Sequence, residues 1–157
     1  MVIHICHDDA EASRDISKLL QESMPDTECT LEVLQKTIDQ QLATQEGNVS
    51  NVYVFVIQSA ADGTVNRGVR NFVKSVDDNA VGIAEFGFFI LALGGARCVN
   101  SAAATAVEVY SSARKLKSKL EKAGARTKLV ELNVELEDIG EAVTHFAETI
   151  KAITATL

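Results

Sequence analysis

Val52-Tyr53-Val54-Phe55-Val56-Ile57 is an unbroken apolar run of β-branched and aromatic residues. A strand with one wet face alternates apolar and polar residues. This run does not alternate, so both of its faces must be covered, as they are in a parallel sheet with helices on each side. Downstream, Val69, Phe72, Val73 and Val76 recur at i, i+3, i+4 and i+7, the stripe of one helix face. The pair reads as a buried strand followed by a helix that packs back on the sheet.

The same unit recurs in both directions along the chain. Upstream, Val2 to Cys6 is a short strand. Ala12, Ile16, Leu19 and Leu20 then mark a helix that Met24-Pro25-Asp26 stops, and Glu28 to Leu34 is a second, weaker strand. Lys36 to Gln45 is polar, with Ile38 and Leu42 on one face, and reads as a second helix. Downstream, Phe86 to Leu93 repeats the buried-strand pattern and is broken by Gly94-Gly95. A helix carrying Ala106, Val109, Tyr110, Ala113, Leu116 and Leu120 on one face follows and ends at Gly124. Lys128 to Leu132 is the fifth strand. Ile139, Val143, Phe146, Ile150 and Ile153 outline a closing amphipathic helix.

Five strand-helix units in 157 residues, with no internal repeat and no Gly/Ser linker, predict one α/β domain over residues 1–157. Right-handed crossovers leave few topologies, and a three-layer α/β/α sandwich with strand order 2-1-3-4-5 satisfies them. The switch point of the strand order then lies between strands 1 and 3, so a ligand belongs at the carboxyl ends of the strands, beside loops His7–Glu11, Ser59–Asn66 and Gly94–Ser101.

Composition narrows the classes of function. The sequence is 46% hydrophobic and 24% charged, as an ordinary globular domain is. Its formal charge of -7 repels nucleic acid and anionic membranes as partners. The charge is uneven: seven basic residues (Arg114, Lys115, Lys117, Lys119, Lys122, Arg126 and Lys128) stand against the single acid Glu121. That stretch reads as a solvated helix face whose cations favour the negative end of the helix dipole, or as a docking stripe for a protein partner. The three cysteines, Cys6, Cys29 and Cys98, lack Cys-x-x-Cys spacing and read as free thiols. No apolar run is long enough to span a membrane and no leader pattern opens the chain, so the expected compartment is the cytoplasm. The oligomeric state has no signature in the sequence.

Three loops carry a family resemblance. Asp8, Asp9, Ala10, Glu11 and Ala12 open the first helix. Ser59-Ala60-Ala61-Asp62-Gly63 follows the third strand, and Leu93-Gly94-Gly95-Ala96-Arg97-Cys98 follows the fourth. In spacing the chain resembles the flavodoxin family, and the FMN domains of diflavin reductases in particular. Corresponding loops there read Ser-x-Thr-Gly-x-(Thr/Ala), Thr-Tyr-Gly-Asp-Gly and Leu-Gly-(Asp/Asn)-(Ser/Thr)-x-Tyr. Leu120-Glu121-Lys122-Ala123-Gly124-Ala125 is similar to that family's helix ending, Leu-Glu-Glu-Leu-Gly-Ala. An Ala/Ser-rich insertion lies between. The resemblance implies a flavodoxin-like fold, FMN as cofactor, electron transfer to a redox partner, and Asp8, Asp9, Ala10, Glu11, Ala12, Ser59, Ala60, Asp62, Gly63, Leu93, Gly94 and Gly95 as the cofactor-binding positions.

The residues at those positions depart from what FMN needs. A phosphate dianion wants donors at the start of the first helix, and an isoalloxazine wants flat aromatic faces. Asp8, Asp9 and Glu11 put carboxylates where the family offers hydroxyls, and none of the three loops contains Phe, Tyr or Trp. The expectation is therefore a flavodoxin-like domain whose flavin binding is weak or lost and which acts as an interaction or structural module. An FMN-binding electron-transfer domain is the alternative.

Other readings of the same residues are less complete. The acidic pair after strand 1 also resembles the Mg²⁺ site of receiver domains, but Gln58 stands at the phosphoacceptor position and Asn133 near that of the lysine. His4-Ile5-Cys6-His7 suggests a metal site, yet alternation sends His4 and Cys6 to one face while His7 enters the loop. Cys98 would lie near a bound ring system as a redox thiol, or be an ordinary loop cysteine. Nucleophile-elbow, P-loop and dinucleotide motifs are absent from the sequence.

Overall fold

The computed structural model describes residues 1–34, 51–58, 67–78, 87–94, 110–135 and 137–156. Five strands are seen: β1 (Val2–His7), β2 (Cys29–Val33), β3 (Asn51–Gln58), β4 (Gly87–Gly94) and β5 (Arg126–Asn133). Four helices lie among the described residues: α1 (Glu11–Glu22), α2 (Arg67–Asp78), α3 (Ser111–Lys122) and α4 (Ile139–Thr154). The sequence-predicted helix over Lys36 to Gln45 and the start of the helix expected from Ala106 fall outside the described residues. All neighbouring strands are parallel and the order is β2-β1-β3-β4-β5, as the crossover argument requires.

The strands β1, β3, β4 and β5 divide their side chains between two cores. Ile3, Ile5, Val52, Val54, Val56, Phe89, Leu91 and Leu93 face α1 and α4 and meet Ile16, Leu20, Val143, Phe146 and Ile150 there. Cys6, Tyr53, Phe55, Ile57, Phe88, Ile90 and Ala92 face α2 and α3 and meet Val69, Phe72, Leu116 and Leu120. This is why β3 and β4 read as continuous apolar runs: neither face of either strand meets water.

Two helix ends show how local sequence frames the sheet. Gly124 takes φ 94°, and behind it Ala125 N–H donates to the Leu120 carbonyl and Gly124 N–H to the Glu121 carbonyl. These paired bonds form a Schellman stop, which needs a left-handed residue just past the helix and explains glycine at that place. At the opening of α4 the Asp138 carboxylate accepts the Glu141 N–H at 2.9 Å, a side-chain N-cap. By contrast α1 opens on Ala10, which offers no side-chain acceptor to the first turn.

Candidate functional site

In this topology the crevice between the carboxyl ends of β1 and β3 is where ligands of open α/β sheets bind. His7 pairs with Val56 there, and the ladder runs one step past the strand end through Asp8 N–H to the Val56 carbonyl at 3.3 Å. His7 is the last residue of β1 and is buried, 4% exposed, rather than lying in the loop as the sequence suggested. Its Nδ1 lies 2.6 Å from the Asp8 carbonyl oxygen. A carbonyl can only accept, so Nδ1 is the nitrogen that carries the proton in this arrangement.

Asp8 departs furthest from the sequence-based picture. It is completely buried, and its carboxylate is directed inward instead of into the loop. Oδ1 accepts the Ala10 N–H at 3.0 Å, at the entrance to α1, while Oδ2 accepts the Gln58 N–H at 2.6 Å, at the end of β3. Both oxygens act as acceptors, so one side chain ties the start of the helix to the neighbouring strand. The expected group of three loop carboxylates is thereby divided: Asp9 and Glu11 are exposed and Asp8 is not. Ala10 and Ala12 are half-buried at the N-terminus of α1.

Leu93 and Gly94 end β4 and are buried. The Gly94 carbonyl accepts the Val134 N–H at 2.9 Å, which ties that strand end to the loop after β5. That loop closes on itself, because Asn133 Oδ1 accepts the Glu135 N–H at 3.1 Å and the Glu137 carboxylate accepts the Asn133 N–H at 2.7 Å. Ser59, Ala60, Asp62, Gly63, Gly95 and Cys98 lie outside the described residues. Of the twelve cofactor-binding positions implied by resemblance, the structure thus brings Asp8 to Ala12 together at one strand-helix junction and places Leu93 and Gly94 two strands away in the same sheet.

His4 and Cys6 share one face of β1, as alternation requires, whereas His7 stays in the strand. His4 Nδ1 lies 2.8 Å from Thr30 Oγ1, its ring stacks on Tyr53 at 5.1 Å, and Glu32 is 3.8 Å away. Among the described residues no group of three His, Cys, Asp or Glu side chains is placed to hold a metal ion. Cys6 is buried with its thiol 3.7 Å from the His4 carbonyl oxygen, and burial raises the Cys29 pKa above the ordinary 9.0 while Lys151 partly opposes the rise. No helix among the described residues is long and apolar enough to cross a membrane.

Away from the crevice, the basic stretch covers α3 and the first half of β5, the strand at one edge of the sheet. Arg114 is engaged by Glu131 at 2.6 Å and Lys117 by Glu121 at 2.6 Å. The Glu121 carboxylate, which also accepts the Thr127 hydroxyl at 2.6 Å, is held below the usual carboxylate range by the Lys117 and Thr127 hydrogen bonds. Lys115, Lys122, Arg126 and Lys128 are exposed.

Solved structures share this architecture across the whole chain. A short-chain flavodoxin associated with a non-canonical PDU bacterial microcompartment superposes with a TM-score of 0.71 at 12% identity, over 98% of this chain and 99% of that one. Oxidised flavodoxin 2 from Bacillus cereus gives 0.66 at 18% identity, over 94% of this chain and 96% of that one. A mutant of Fusobacterium nucleatum flavodoxin bound to flavin mononucleotide gives 0.60 at 9% identity, over 94% of this chain and 93% of that one. No family model and no curated protein matches the sequence. The fold is therefore that of the flavodoxins, a five-stranded parallel sheet in a three-layer α/β sandwich.

Proposed function

We propose that this chain is a flavodoxin-like domain in which FMN is held weakly or not at all, and which serves as an interaction module in the cytoplasm. The observation that carries this reading is the state of the α1 entrance. The Ala10 N–H, which stands at the helix start where a phosphate would be held, already donates to Asp8, and the residues flanking it are the exposed acids Asp9 and Glu11. A hydrogen bond to a charged group contributes about 1.5–3 kcal/mol, so a phosphate has to displace a strong internal partner. Each exposed acid adds about 1 kcal/mol of repulsion per unit of phosphate charge at roughly 4 Å under water-like screening. The occupied donor and the loop charge therefore oppose a phosphate together. These residues do not fit a phosphate dianion.

The α3–β5 edge supplies the surface for an interaction role. Lys115, Lys122, Arg126 and Lys128 are exposed on a chain that is otherwise strongly acidic, and a protein partner with an acidic face would complement them.

The second reading, an FMN-binding electron-transfer domain like those of diflavin reductases, is favoured by the near-complete coverage of flavodoxins that include an FMN complex. Purified protein decides between the two. Colourless protein, and FMN fluorescence unquenched at micromolar protein, is the expected result. Quenching that saturates at micromolar protein would establish the second reading.

A further inference from the structure

Among the described residues Asp8 is the one carboxylate buried away from solvent, and it lies just past the end of β1, between α1 and β3. We propose that this carboxylate is a built-in anion: it takes the Ala10 N–H at the start of α1 and the Gln58 N–H at the end of β3, and so competes with an external phosphate for the crevice. The proposal rests on the flavin-poor reading of the site and names the residue responsible for it.

A carboxylate with no solvent exposure is tolerated only where donors replace its water. Asp8 has two such donors on separate oxygens, Ala10 N–H at 3.0 Å and Gln58 N–H at 2.6 Å. They belong to the two elements that meet at the switch point, so the carboxylate ties the start of α1 to the end of β3. Its charge also lies at the N-terminus of a 12-residue helix, where the aligned peptide dipoles favour a negative group. An incoming phosphate would seek the same donors and the same dipole. The internal carboxylate is attached to the chain and loses no translational freedom on docking, so it holds the position against a ligand present at millimolar concentration. Ala10, which lacks a hydroxyl, offers the phosphate no substitute donor.

The test uses the full chain, with inorganic phosphate, FMN and the phosphate-free riboflavin as probes. In the unaltered protein, the Ala10 and Gln58 amide resonances should stay in place as phosphate is raised to tens of millimolar; a saturable shift of both would overturn the proposal. Asp8→Ser removes the carboxylate and leaves a hydroxyl. It should bind phosphate and FMN at least about tenfold more tightly than the parent, with riboflavin affinity unchanged. Asp8→Asn, which keeps the shape and one acceptor oxygen, covers the case in which the serine variant does not fold, and the same gain is expected. A folded variant of either kind with no gain for phosphate would overturn the proposal. Should neither fold, the amide titration of the unaltered chain decides alone. Equal binding of FMN and riboflavin by the parent, with Ala10 and Gln58 unmoved, would defeat the flavin-poor reading yet leave Asp8 as the internal anion, so the two failures are distinguishable.

Discussion

Replacing Phe55 by alanine should remove the side chain that joins three elements of the second core. Phe55 is 1% exposed on β3, meets the Phe72 ring of α2 edge-on at 5.0 Å, and stacks on Phe88 of β4 at 5.3 Å. Truncating a buried phenylalanine costs about 3–5 kcal/mol from lost transfer energy and the residual cavity. With a urea m-value of about 2 kcal/mol/M, the unfolding midpoint should fall by about 2 M. Phe55→Leu separates area from ring geometry. It keeps most of the buried volume and loses two aromatic pairs worth about 0.5–1.5 kcal/mol each, so its midpoint should fall by about 0.5–1.5 M. A cycle pairing Phe55→Leu with Phe72→Leu should return a coupling of about 0.5–1.5 kcal/mol for the edge-on contact. Equilibrium unfolding followed by circular dichroism reads the parent and every variant. A loss under about 1 kcal/mol for the alanine variant, with m unchanged, would refute the packing argument, because no filled core site collapses that completely.

Three further substitutions test the frame of the fold and one of its thiols. Asp138→Ala should cost about 1 kcal/mol by removing the cap on Glu141 N–H, whereas Gly140→Ala should gain about 0.5 kcal/mol, since the added methyl meets Asp138 Oδ1 at an ordinary 3.4 Å; thermal melts with opposite shifts are expected, and a loss in the glycine variant would contradict the geometry. Burial raises the Cys29 thiol, so the unfolded chain releases that proton first and stability relative to Cys29→Ser should fall as pH rises past the ordinary thiol value of 9.0; a difference between the two proteins that stays flat across that range would remove the assigned cause.

A domain that keeps the flavodoxin sheet while its cofactor entrance is internally satisfied would retain a stable scaffold for recognition. On this proposal the architecture and the ligand chemistry separate cleanly, since the sheet depends on apolar pattern and the crevice on a few polar atoms. The α3–β5 edge offers exposed cations at a place the crevice chemistry does not touch. Loss of flavin affinity would therefore leave that surface intact.

Much of the fold was legible in the one-dimensional pattern. The continuous apolar runs of β3 and β4 forced covered faces, the repeated strand-helix order forced a parallel sheet, and Gly124 marked the left-handed stop that the structure places there. Periodicity was less exact at helix faces. Ile153 was read onto the buried stripe of α4 but is 39% exposed, and Thr154 is buried in its place with its hydroxyl returned to the Ile150 carbonyl at 2.8 Å. On α1, Ser13 and Ser17 are fully buried, although apolar spacing alone would have left them outside. A 3.6-residue repeat drifts along a helix, and the packing of the neighbouring layer decides which side chain falls inside.

At the candidate site the order of residues was enough to establish that carboxylates stand at the opening of α1. What Asp8 does there depends on the assembled sheet. Strand pairing brings Gln58, distant in the chain, beside the end of β1, and its N–H completes the bonding of a side chain that would otherwise remain in water. A sequence records the charge of a residue, whereas the donors that determine whether that charge faces a ligand or the protein come from segments joined only by the fold.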